Sequence, residues 1–135
     1  MTQYSINIFD ISEISTTNGS GFNDNGGYQF LLGTDTVTLT NGAVYQQVLV
    51  EDTANAYFDD DAGLEQTLVS DITLDGATYT AGTIIESEYV LNVQAPGGET
   101  YILQFVSLAN DAFTIHGFVP QGVKPPDGVA LTVIG

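Results

Sequence analysis

Apolar and polar residues alternate with a period of two along most of this chain, the spacing of half-buried strands rather than of helices. Tyr4, Ile6 and Ile8 alternate with Ser5, Asn7 and Phe9. The same reading predicts further strands over 28–32, 36–40, 43–50, 66–74, 77–80, 84–94, 99–108, 112–119 and 129–134. Asn41-Gly42 and Asp75-Gly76 each sit between alternating runs, and Asx-Gly in that setting predicts a tight hairpin, because both central residues of a type I′ turn need positive φ. Ala95-Pro96-Gly97-Gly98 predicts another reversal, and Pro125-Pro126 excludes a central strand there. Two hairpins that both end on a tyrosine, at 39–45 and 74–79, form a weak internal echo.

Nine or ten short strands with turn signals every 8 to 12 residues predict an all-β fold, an antiparallel β-sandwich of jelly-roll or immunoglobulin-like type, with a β-barrel as the alternative. With 135 residues the chain suits one domain, 1–135, large enough to bury about two-thirds of its unfolded surface. No run is apolar for the roughly 20 residues that a membrane-crossing helix needs, and no membrane insertion is expected.

Charge changes this picture. Seventeen acidic residues face one cation, Lys124, giving a net charge of -16. Phosphate binding needs clustered Lys and Arg, so nucleic acid is excluded as a partner. Acidity on this scale either keeps a protein dissolved or offers oxygen ligands to a hard divalent cation. Two loops carry the second option. Asp59, Asp61 and Glu65 with Gly63 between them, preceded by Glu51 and Asp52, place alternate acids in a bend. Asn23, Asp24 and Asn25 mix neutral and charged oxygens. Both loops are candidate calcium sites, and both equally suit plain solvated turns.

Catalytic chemistry finds little support. With no cysteine there is no thiolate and no disulfide. His116 is the only histidine and lies in an apolar strand context without a nucleophile motif. Glu86 and Glu88 share a strand face, but a strand guarded by charge explains them better than a glycosidase pair. Lys124 precedes two prolines and is expected in solvent. Seven Tyr and seven Phe fall on alternating positions, as packing residues do.

Thr34-Asp-Thr-Val-Thr-Leu39, Asp75-Gly-Ala-Thr-Tyr79, Ala81-Gly82-Thr83, Glu88-Tyr89, Gly97-Gly-Glu-Thr-Tyr101 and the tail from Gly117 to Val133 with its Pro-Pro-x-Gly-Val carry a resemblance. Over Gly33 to Gly135 the chain resembles the β-rich domain that precedes Hint (hedgehog/intein) domains in secreted, RTX-associated proteins of marine alphaproteobacteria. No Hint domain is present, so none of that family's processing residues carries over. The resemblance implies an extracellular or cell-surface location and export without a Sec signal; Gly135 is read either as an ordinary chain end or as an end released from a precursor. Together these features predict a non-enzymatic subunit of a filament, matrix or surface layer, a homo-oligomer assisted by calcium. Strand donors would be Thr2, Tyr4, Ile6 and Ile8, or Val129, Leu131 and Val133. The alternative is an adhesin or lectin-like module that binds a surface glycan.

Overall fold

The computed structural model describes residues 2–24, 29–59, 65–111 and 113–135. Its elements are β1 (Thr2–Asp10), a 3-10 turn (Ile11–Glu13), β2 (Ile14–Thr16), β3 (Thr36–Leu39), β4 (Tyr45–Asp52), β5 (Gln66–Leu68), β6 (Ile72–Leu74), β7 (Ala77–Tyr79), β8 (Ile85–Gln94), β9 (Thr100–Leu108), β10 (Gly117–Gln121) and β11 (Leu131–Val133). Nine strands form one antiparallel sheet in the order β2-β3-β11-β8-β9-β10-β1-β4-β5, and β6-β7 is a separate hairpin. The sheet is not closed into a barrel, so the sandwich reading holds and the barrel alternative does not. At its β5 end a single bridge, Thr67 to Ile84, touches the segment that enters β8.

The centre of this sheet is buried on both faces. Phe9, Phe105 and Phe118 enter one apolar cluster with Leu39, Val93 and Leu131. Their chain neighbours Ile8, Val106 and Val119 enter a second with Val48, Val50 and Leu74. Alternate side chains of a strand point to opposite faces, so one stretch of β1, β9 and β10 feeds both layers. Stacked rings fill the first layer: Phe105 lies 4.9 Å from Tyr89 and 5.2 Å from Phe22, centroid to centroid.

Four local expectations are corrected. Asp75 and Gly76 both have positive φ, 53° and 76°, and close the β6-β7 hairpin as expected. At Asn41-Gly42 only Gly42 is positive, and the turn is not a hairpin. β3 pairs with β2 and β11, while β4 pairs with β1 and β5. The supposed echo is therefore turn chemistry without a shared hairpin. The strand expected over 28–32 is absent from its described part: the buried Asp35 carboxylate accepts the Leu31 N–H at 2.8 Å, and Asn18 holds the Gln29 carbonyl. These side-chain bonds compete with a ladder and bend the segment. The expected strand 66–74 breaks into β5 and β6, and the strand expected over 112–119 starts only at Gly117. A Cβ at Gly117 would lie 2.6 Å from the Phe9 carbonyl oxygen and 2.9 Å from Ile8 Cγ2, so glycine there permits the contact of β10 with β1.

Candidate interaction site

Among the described residues of the acidic loops, several polar side chains bond to neighbouring backbone and side-chain groups. Asp52 is 1% exposed, and its Oδ1 accepts the N–H groups of Ala54 and Asn55. The Tyr4 hydroxyl lies 3.2 Å from both Asp52 Oδ2 and Gln66 Oε1. Gln66, fully buried, also takes the Asp59 N–H and donates to the carbonyls of Asp59 and Ile85. Glu51, one residue from Asp52, falls on the opposite face of β4 and meets Gln3. Asn23 Oδ1 accepts the Ile115 N–H, and the Asp24 N–H reaches the Phe113 carbonyl. Among the described residues no three His, Cys, Asp or Glu side chains gather as a metal site would require. Asp61 and Asn25 lie outside the described residues, and Glu65 is described at the far end of that gap.

His116 has a definite role. Its Nδ1 is 2.9 Å from Asp75 Oδ2 and its Nε2 is 3.4 Å from the Tyr79 hydroxyl. Asp10 Oδ2 accepts the Asp75 N–H at 2.7 Å. These bonds latch the β6-β7 hairpin onto β1 and β10. Burial pushes the Asp10 carboxyl up, but the N–H groups of Ser12 and Asp75 and the neighbouring His116 outweigh it and hold it below the ordinary value. Burial, then the charges of Asp75 and Asp111, push the Tyr79 phenol up. Lys124 is tied to the Asp127 carboxylate at 2.5 Å and to the Pro125 carbonyl, and Asp127 also accepts the Gly42 N–H.

Both expected strand donors lie between two neighbours in the sheet. Leu131 and Val133 pair between β3 and β8, and Val129 precedes them as a half-buried connection. β1, with Thr2, Tyr4, Ile6 and Ile8, lies between β4 and β10. Its two sides differ. Eight residues, Thr2 to Phe9, pair with β4. Only Phe9 and Asp10 pair with β10.

The hydrogen-bond phase shows what the short side leaves open. The Ile11 N–H donates to the His116 carbonyl, and the Val69 N–H to the Leu49 carbonyl. In an antiparallel ladder, bonded and non-bonded pairs alternate. Hence Tyr4, Ile6 and Ile8 turn their N–H and C=O toward β4, whereas Ser5 and Asn7 turn theirs away from it, toward β10. Continued in register, Asn7 would face Pro120 and Ser5 would face Gly122. Neither pair forms. Proline has no N–H to give to the Asn7 carbonyl, and Gly122, at φ 85°, turns the chain away. Pro120 and Gly122 therefore end the ladder, and the two strands part.

The gap is a cleft of about 470 Å³, walled by Tyr4 to Asn7 on one side and Val119 to Gly122 on the other. Its floor is the 56–58 loop, where Phe58 is buried and its carbonyl accepts from Gln104 Nε2 at 2.8 Å. Tyr57, 63% exposed, stands at the rim. None of the twelve lining residues is charged, on a chain with a net charge of -16. The alternation of β1 was legible in the sequence. That its β10 side is open was not: the strand expected over 112–119 stops one residue short of Pro120, which falls within β10.

No protein family, curated protein or solved structure matches this chain.

Proposed function

We propose that this protein is a non-catalytic, extracellular structural subunit that joins a filament, matrix or surface layer by pairing of exposed strand edges. The observation that supports this most is the open side of β1, where Ser5 and Asn7 present main-chain groups without a sheet partner. Main-chain pairing at such an edge supplies affinity without charged contacts, which suits copies that repel one another at -16 each. Calcium would assist by screening that repulsion, and sedimentation velocity at rising concentration, with calcium and with excess EDTA, tests both parts. Growth to large species that EDTA reduces is expected. A monomer at all concentrations in calcium contradicts the assembly reading, and growth unchanged by EDTA removes calcium from it.

One observation favours a second reading, a glycan-binding adhesin. The exposed Tyr57 lines the same uncharged cleft as Asn7 and Gln121, which carry side-chain amides. A ring face with adjacent amide donors and acceptors is suited to a neutral sugar. Binding of neutral oligosaccharides by a protein that stays monomeric would favour this reading.

A further inference from the structure

We infer that the cleft between β1 and β10 is an acceptor slot for one extended peptide strand without charged side chains. This deepens the assembly reading and rests on it for the source of the strand, though the slot's chemistry stands apart from that source.

Three features define the occupant. The first is the main chain. Ser5 and Asn7 direct an N–H and a C=O each into the gap, in the plane of the sheet and two residues apart. That spacing repeats every second residue of a strand, which an extended peptide matches bond for bond. From Tyr4 to Asn7 the wall spans about 10 Å, room for four residues of a strand.

The second feature is asymmetry. The opposite wall offers the Pro120 carbonyl but no N–H, so an inserted strand can donate to β10 there and accept nothing from that residue. The hydrogen bonds that hold the strand in register lie on the β1 side. Pro120 thus prevents the two walls from pairing with each other and leaves β1 available for a third strand. Beneath the gap, Ile6, Phe58 and Val119 supply an apolar surface for every second side chain of the occupant.

The third feature is charge. All twelve lining residues are uncharged. A lysine or arginine on the strand would find no carboxylate in the slot, and an acidic residue would face the field of a strongly negative protein. Uncharged, alternating side chains fit.

The test uses the full chain, isotope-labelled, with an acetylated and amidated hexapeptide of alternating threonine and valine as the probe. Its fully N-methylated form, which cannot donate, and a neutral hexasaccharide serve as comparisons. The hexapeptide is expected to shift the amide signals of Ser5, Asn7 and Gly122 and to slow exchange of the Ser5 and Asn7 amides by about tenfold or more, a factor worth one or two hydrogen bonds. The methylated peptide should do neither. Pro120→Val restores the missing donor, lets β10 close on Asn7, and should weaken the hexapeptide by about tenfold. Asn7→Pro removes an N–H that β4 does not use and should weaken it as well. Should Pro120→Val not fold, the comparison of the two peptides on the native chain still decides. Equal binding of the methylated and unmethylated peptides, shifts confined to other surfaces, or a response to the sugar alone would each overturn the proposal. A slot that binds peptide on a chain that never grows in sedimentation supports the proposal and removes self-assembly. Growth without any peptide response at Ser5 and Asn7 overturns the slot and leaves assembly to another edge.

Discussion

Strand β1 holds eight residues in register with β4 and two with β10. Both neighbours are antiparallel, and β1 itself is one unbroken run of alternating residues. The difference lies in the neighbours. β4 offers an N–H at every position from Tyr45 to Asp52, whereas β10 carries Pro120 three residues after Gly117. A ladder is as long as its supply of donors. One missing N–H, followed by a glycine that turns away, converts a strand that would be interior along its whole length into one that is open over half of it.

The largest expected effect breaks the closed end of the comparison. Phe105 is fully buried and stacks on Phe22 and Tyr89, so Phe105→Ala should cost about 3–5 kcal/mol in denaturant unfolding. Phe58→Ala, on the cleft floor, should cost less, since its neighbour on one side is the open cleft. Next comes the hinge at which β1 and β10 still touch. A methyl group at Gly117 would press on the Phe9 backbone, so Gly117→Ala should cost about 1–3 kcal/mol and reduce protection of the Ile11 amide. Asp52→Ala belongs to the same range, about 2–3 kcal/mol, because it strands two backbone N–H groups and loosens the Tyr4 hydroxyl beside the cleft.

How much of this was legible in the sequence follows from the physics of each element. Period-two alternation marked β1, β3 and β4 because each has one face in a core throughout much of its length, whereas β9 is buried on both faces from Leu103 to Leu108 and reads as a nearly continuous apolar run. Asp75-Gly76 was legible because its turn needs two left-handed residues and has them. Asn41-Gly42 was misread as a hairpin because dipeptide chemistry fixes a turn but not which strands pair after it, and β3 and β4 separate to different parts of the sheet. The segment before Asp35 looked like a strand because Phe30, Leu31 and Leu32 are apolar, yet only Phe30 is buried there. The Asp35 carboxylate, held below the ordinary range by the Leu31 N–H and by Asn18 and Thr17, fixes a bend instead. Acid clusters in sequence suggested ion ligands, but neighbours on a strand face opposite ways, so Glu51 and Asp52 diverge. The cleft was illegible because it depends on the phase of a ladder formed by residues more than a hundred positions apart.

A smaller effect follows from acid. The carboxyls of Asp10, Asp35 and Asp127 lie below their ordinary value of 3.8 in the folded chain. The unfolded chain therefore binds more protons in that range, and stability rises with pH there. The contribution is complete above about pH 5 and is lost as pH falls through the lowered folded values. Melting temperature should hold between pH 7 and 5 and fall below about 4. For Asp127 the shift comes first from the Lys124 hydrogen bond, so Lys124→Met should remove its share of the acid dependence while leaving the β1 edge unaltered. The smallest expected change is in Pro120→Val, which should stabilise by about 1 kcal/mol through one restored backbone bond.

Residue-resolved amide hydrogen exchange along β1 tests the open edge most directly. The account predicts alternation, with the amides of Tyr4, Ile6 and Ile8 protected by β4 and those of Ser5 and Asn7 exchanging faster by about a hundredfold or more, as unpaired groups at a sheet edge do. Uniform protection from Tyr4 to Ile8 would mean that β10 or another strand already pairs with this side, and would contradict it.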